Sequence, residues 1–125
     1  MQIRTKFDTI IEVIEPVLTV KFFKNQGGTE PVRDWLMELN KADRKSIGEE
    51  IKTVQLGWPL GMPLVRKLVP NLWEIRIQLP NRIARVLFTL DDGVMVLLHG
   101  FIKKSQAIPK EDLDVAKARL KQVRS

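Results

Sequence analysis

The stretch from Leu72 to Ile102 constrains the fold more than any other part of the chain. Leu72 to Leu79 alternates, with Trp73, Ile75, Ile77 and Leu79 on one face and Glu74, Arg76 and Gln78 on the other. That period of two marks a strand with one face buried. Pro80-Asn81 then supplies a turn, Arg82 to Leu90 a second apolar run, Asp91-Asp92-Gly93 another turn, and Val94 to Ile102 a third run. Three consecutive hairpin-linked strands predict a largely antiparallel sheet.

The remaining segments add helices around that sheet. Residues 17 to 23 are β-branched and aromatic and end at the Asn25-Gln26-Gly27-Gly28 cluster, which predicts one more strand. Thr29 suits a helix cap and Pro31 a first helical turn, and Val32, Trp35, Leu36 and Leu39 recur at helical spacing. A second helix is expected from near Asp43, burying Ile47, Ile51 and Val54 and stopping at Gly57, before a loop from Gly57 to Pro63. Pro109 opens a C-terminal helix with Leu113, Ala116, Leu120 and Val123 on one face. The expected class is α+β in the order β-α-α-β-β-β-α. Residues 17–125 form one domain, and residues 1–16 form an extension whose apolar spacing fits helix and strand alike.

Composition narrows the chemistry. With 125 residues, no cysteine and one histidine, the chain has no disulfide, no thiol nucleophile and no basis for a cysteine or histidine metal site, so no cofactor is expected. No apolar run approaches the ~20 residues of a spanning helix. Asp8, Glu12 and Glu15 interrupt the region where a signal peptide would be apolar, which predicts a cytoplasmic protein with no membrane partner. The net charge is +6, and all of the excess lies in residues 63–125, where twelve basic residues face six acidic ones. A field of that sign attracts polyanions, nucleic acid foremost.

Register turns the charge into a candidate site. A two-residue turn at Pro80-Asn81 places Ile77 opposite Ala84, Ile75 opposite Val86 and Trp73 opposite Phe88, and sets Arg76 directly opposite Arg85 on the other face. Opposed like charges cost stability unless Glu74 lies between them or a bound anion offsets them. A three-residue turn at Asp91-Asp92-Gly93 would pair Leu90 with Val94, face Val86 with Leu98 and Phe88 with Val96, and put His99 beside Arg85. A two-residue Asp92-Gly93 turn would instead put His99 opposite Val86 in the core. Arginine forks hold phosphate oxygens and histidine moves protons near neutral pH, so Arg76, Arg85 and His99 suit phosphodiester chemistry. Phe101 shares the parity of His99 and is the aromatic placed to stack on a base. Arg66 and Lys67 before these strands, with Lys103 and Lys104 after them, extend the patch. The blander alternatives are a core histidine, arginines paired with Glu74 and Asp92, and a solvated helix face at Lys117, Arg119, Lys121 and Arg124.

Glu30-Pro-Val-Arg-Asp-Trp-Leu, Gly57-Trp-Pro-Leu-Gly, Arg66-Lys-Leu, Leu72-Trp-Glu-Ile-Arg, Arg82-Ile-Ala-Arg-Val-Leu-Phe and the run from Leu98 to Lys110 resemble the phage-derived branch of the HigB toxins, within the RelE superfamily. The resemblance spans residues 17–121 and is most specific from His99 to Pro109. It implies a curved sheet with helices packed on one side. It also implies a type II toxin that cleaves messenger RNA on the ribosome without metal, by attack of the ribose 2′-hydroxyl on the adjacent phosphate, and that is silenced by a helix-turn-helix antitoxin. Carried over by position, Lys67, Arg76 and Arg85 match the basic residues that such toxins place along the RNA phosphates, and His99 and Lys103 match the C-terminal polar positions. The expected catalytic set is therefore Arg76, Arg85, His99 and Lys67, and the patch read from the residues adds Arg66, Arg82, Phe101, Lys103 and Lys104 as RNA-binding. Relatives often use a tyrosine near the end of the sheet, and this chain has none. Two other functions fit the same charge: a non-catalytic inhibitor that occupies RNA or the ribosome, and a phage adaptor that binds an acidic protein.

Overall fold

A computed structural model describes residues 17–104 and 107–125; the N-terminal extension, Ser105 and Gln106 lie outside the described residues. The elements are β1 (Thr19–Phe22), α1 (Pro31–Glu38), α2 (Lys41–Gly57), β2 (Val65–Val69), β3 (Leu72–Leu79), β4 (Arg82–Asp91), β5 (Val94–Lys103) and α3 (Lys110–Arg124). The expected order therefore lacked one strand, β2. The protein is α+β with a five-stranded mixed sheet in the order β1-β5-β4-β3-β2, in which β1 runs parallel to β5 and every other pair is antiparallel.

Local chemistry explains the helix ends. Asn40 caps α2, its side chain accepting from the Asp43 backbone N–H at 2.8 Å, so this helix starts two residues before Asp43. Pro31 sits in the first turn of α1, where its missing N–H costs nothing. The cap residue there is Glu30 rather than Thr29, whose backbone N–H donates to Asn25 Oδ1 at 2.9 Å and closes the preceding loop.

Helices cover both faces of the sheet, not one. Ile75, Ile77, Ala84, Val86, Phe88 and Leu97 pack against Val32 of α1 and Ile47, Ile51 and Val54 of α2. Trp58 stands edge-on to Trp73 and Phe88, with ring centroids 5.5 and 5.7 Å away. Gly100 lets Trp35 lie flat on this face, because a Cβ there would fall 2.3 Å from Trp35 Cζ3. On the opposite face Leu72, Leu87, Val96, Leu98 and Phe101 are buried with Ala116 of α3, flanked by Leu113, Leu120 and Val123. Those apolar residues on the arginine side of β4 and β5 require a cover, and the stripe of α3 supplies it.

The β3–β4 register follows the Pro80-Asn81 turn, with Arg76 opposite Arg85. The β4–β5 register departs from the three-residue turn. Asp91 pairs with Val94, leaving a two-residue turn in which Asp92 and Gly93 have φ of 50° and 79°, the positive pair that a type I′ hairpin needs. Phe88 accordingly faces Leu97, not Val96. A bulge follows: Phe88 pairs with Leu97 but Leu87 pairs with His99, so Leu98 is the extra residue and Val86 faces Gly100. The turn moves the register one way and the bulge restores parity. His99 returns to the arginine side, opposite Leu87 instead of Arg85, and Phe101 takes the place opposite Arg85.

Candidate functional site

The centre of the arginine side is a buried ion cluster. β2 aligns Arg66 with Glu74, and β4 aligns Arg85 with Arg76 two residues further along, on the same face. The Glu74 side chain is fully buried, with Oε1 3.3 Å from Arg66 Nε and Oε2 3.5 Å from Arg85 Nε. Glu74 thus lies between Arg66 and Arg85, and its attraction for Arg85 works against the repulsion that Arg85 meets from Arg76. Arg85 is as buried as Glu74, and its guanidinium lies 6.0 Å from the Phe101 ring centroid, within cation–π range. Burial pushes the Arg85 pKa down, Glu74 pulls it up, and Arg76 and Arg66 push it further down. Arginine does not give up its proton in proteins, so the guanidinium is charged at neutral pH. Arg66 and Arg85 share one carboxylate and Arg76 acts on Arg85 from the opposed position; the groups presented outward are half-buried Arg76 and Arg66, whose side chain is 38% exposed.

His99 joins this side from β5 and is tied to α3. Its Nε2 lies 2.7 Å from Asp112 Oδ1, and its ring stacks on Phe101 with centroids 5.6 Å apart. Its Nδ1 lies 3.4 Å from Arg119 Nη1, which makes a shorter bond of 2.8 Å to the Leu98 carbonyl. The carboxylate can only accept, so Nε2 carries a proton, and the Arg119 guanidinium, which can only donate, faces Nδ1 as an acceptor. Burial lowers the Arg119 pKa, and Arg119 also stands over the Phe23 ring at 5.8 Å. Sequence reasoning missed Asp112 and passed Arg119 as a solvated charge. The signal was their spacing: both flank Ala116 at one helical turn, on the stripe that faces the sheet.

The other expected residues divide between the two sides. Lys103 extends the arginine side at the exposed end of β5, opposite Ile83, and exposed Lys104 follows it. Lys67 points to the other face, where its Nζ lies 5.7 Å from the Trp73 ring. Arg82 also turns away. Its Nη1 and Nη2 hold Asp43 Oδ2 and Oδ1 at 2.9 and 3.0 Å, a bidentate tie between β4 and α2 that raises the Arg82 pKa. Phe101 is only 6% exposed, sandwiched between Arg85 and His99, so it braces the cluster and offers no face to a base. No group of three or more His, Cys, Asp or Glu among the described residues is arranged to hold a metal ion, and no helix among them is long and apolar enough to cross a membrane.

A small α+β domain with a basic, ion-paired patch on a sheet is the class that these features define, compatible with a RelE-like fold. A comparison with protein families matches residues 34–121 to the Phage derived protein Gp49-like (DUF891) family. The chain belongs to that phage-derived Gp49-like family, a toxin-like family of the RelE/HigB type. A comparison with curated proteins finds no match.

Proposed function

We propose that this chain is the toxin of a type II toxin–antitoxin pair, an endoribonuclease of the HigB kind that cuts messenger RNA on the ribosome without metal. The observation that carries the reading is the pairing of Arg66 and Arg85 with buried Glu74, with Arg76 set opposite Arg85, in a family of toxin-like proteins. In this reading Arg66 and Arg76 grip phosphate oxygens, while the buried Glu74–Arg85 pair holds them in place and adds to the field. Lys103 and Lys104 continue the track along the backbone. The 2′-hydroxyl attacks the adjacent phosphate, the arginines stabilise the charge that develops there, and Nδ1 of His99, turned from its 3.4 Å contact with Arg119, takes the hydroxyl proton. A free nuclease of this kind harms its host, so an antitoxin with a helix-turn-helix domain and an acidic or apolar contact surface is part of the proposal.

Controlled expression in bacteria, with growth followed and RNA 5′ ends mapped, tests it. Growth arrest with new RNA ends is the expected result. Arrest without new ends would favour a non-catalytic inhibitor that occupies RNA or the ribosome, and no arrest would remove the toxin reading.

A further inference from the structure

The cluster has a neighbour that the phosphate reading does not use. β2 begins at Val65, opposite Ile75, and the Arg76 backbone N–H donates to the Leu64 carbonyl at 2.8 Å. Beyond that point β3 continues to Leu79 while β2 is absent, and a cavity of about 540 Å³ opens between the sheet and α2. Leu64 and Ile83 form its apolar floor, and Glu50, Thr53, Arg76 and Gln78 form its rim. An apolar floor with a few convergent polar groups, in a cavity within the usual ~300–1,000 Å³ range, is the anatomy of a small-ligand site.

The rim has a definite hydrogen-bonding sense. Gln78 spends its amide nitrogen on the carbonyls of Leu79 and Arg82, at 2.9 and 3.1 Å, which leaves the amide oxygen as its available end. Thr53 donates its one hydroxyl proton at the shorter distance to the Glu49 carbonyl, 3.0 Å against 3.4 Å to Glu50 Oε1, which leaves its lone pairs and both oxygens of Glu50 as acceptors. The Glu50 carboxylate accepts only. Three acceptors therefore face one donor, Arg76, and Arg76 also belongs to the phosphate cluster.

We infer that this notch beside Arg76 is a nucleobase subsite that selects bases bearing an amino group over uracil, with Glu50 as the residue that sets the preference. This rests on the RNA-binding reading above. A nucleotide whose phosphate lies on Arg66 and Arg76 puts its base against Leu64 and Ile83. There an exocyclic amine meets the Glu50 carboxylate. Uracil offers a single ring N–H flanked by two carbonyl oxygens, which the acceptors of the rim repel.

The test is binding of labelled eight-nucleotide oligo-C, oligo-A and oligo-U to the full chain at fixed low salt. The natural protein should bind oligo-C and oligo-A about fivefold or more tighter than oligo-U, the lower end of what one good base contact discriminates. Glu50→Gln supplies a donor and removes a negative charge, so it should raise affinity for all three and bring them within about twofold of one another. Glu49→Gln removes the same charge one residue away, outside the notch, and should preserve the preference. No preference in the natural protein, a preference for oligo-U, or a preference untouched by Glu50→Gln overturns the subsite and leaves the phosphate cluster standing. Absence of salt-sensitive binding to every oligomer overturns both.

Discussion

Nε2 of His99 lies 2.7 Å from Asp112 Oδ1, so the single histidine of the chain links β5 to α3. This pair combines the two roles open to His99 from the sequence, a proton carrier on the basic face and a satisfied, half-buried polar group. Asp112 fixes the tautomer and the ring orientation, and the proposed chemistry uses the other nitrogen.

His99→Gln should therefore do two things. Cleavage should fall by something like the 10²–10⁴ that a positioned base contributes. Stability should fall by about 1 kcal/mol, because glutamine can still donate to Asp112 but loses the stacking on Phe101. Mapped RNA ends and urea unfolding measure each effect. Unchanged cleavage by the folded variant would pass the proton to Lys103, since Lys67 lies on the other face of the sheet.

The buried pair predicts a stability cost where opposed arginines alone would predict relief. Arg85→Met leaves the fully buried Glu74 carboxylate with Arg66 as its remaining cation and should destabilise the protein by about 3 kcal/mol. Adding Glu74→Gln should recover most of that loss, because the uncompensated charge disappears. Denaturant titration of the two variants decides it, and an Arg85→Met protein as stable as the original would contradict the pairing.

Much of this site was legible in the residues, and the misses have physical causes. The alternation of β3 and the Pro80-Asn81 turn determine that Arg76 faces Arg85, because a one-residue slip would bury the β4 arginine among Ile75 and Ile77 and the two-residue turn excludes longer shifts. β2 escaped notice because Val65-Arg66-Lys67-Leu68-Val69 is five residues long, charged at its centre and flanked by Pro63 and Pro70. The bulge at Leu98 has no signature in sequence: Leu97 and Leu98 are both apolar, and each face of the sheet accepts one of them. The second helix layer was readable, since Leu87, Val96 and Leu98 share the arginine side and cannot stay exposed there.

Gly100 predicts a packing defect. Gly100→Ala would drive its Cβ into the Trp35 ring, so the indole must leave the sheet, at a cost of about 1–3 kcal/mol for an overpacked core. Trp35→Leu in the same chain should restore part of the loss. Tryptophan fluorescence and thermal melting follow the two steps, and a Gly100→Ala protein with unaltered emission and melting would refute the contact.

Arg82 separates structural from functional arginines. Its bidentate tie to Asp43 joins the sheet to α2, on the side away from the cluster. Arg82→Gln should lower the melting temperature without altering the salt dependence of RNA binding. A salt slope that changes in this variant would return Arg82 to the RNA-contacting set.

Arg66 and Lys67 provide the most direct test of which face meets RNA, because they are adjacent in sequence and point to opposite sides of β2. RNA affinity should fall steeply with rising salt, since phosphate contacts release counterions. Each residue that touches a phosphate contributes about one unit to that log–log slope. Arg66→Ala should therefore reduce the slope by about one and weaken binding to every sequence alike, whereas Lys67→Ala should leave the slope where it is. Each substitution removes one positive charge at adjacent positions in the chain, so long-range electrostatics alters both alike and the geometry of the sheet distinguishes them. Equal loss in the two variants would mean that RNA does not bind the arginine side as a surface, and a loss confined to Lys67 would transfer the interface to the α1–α2 face.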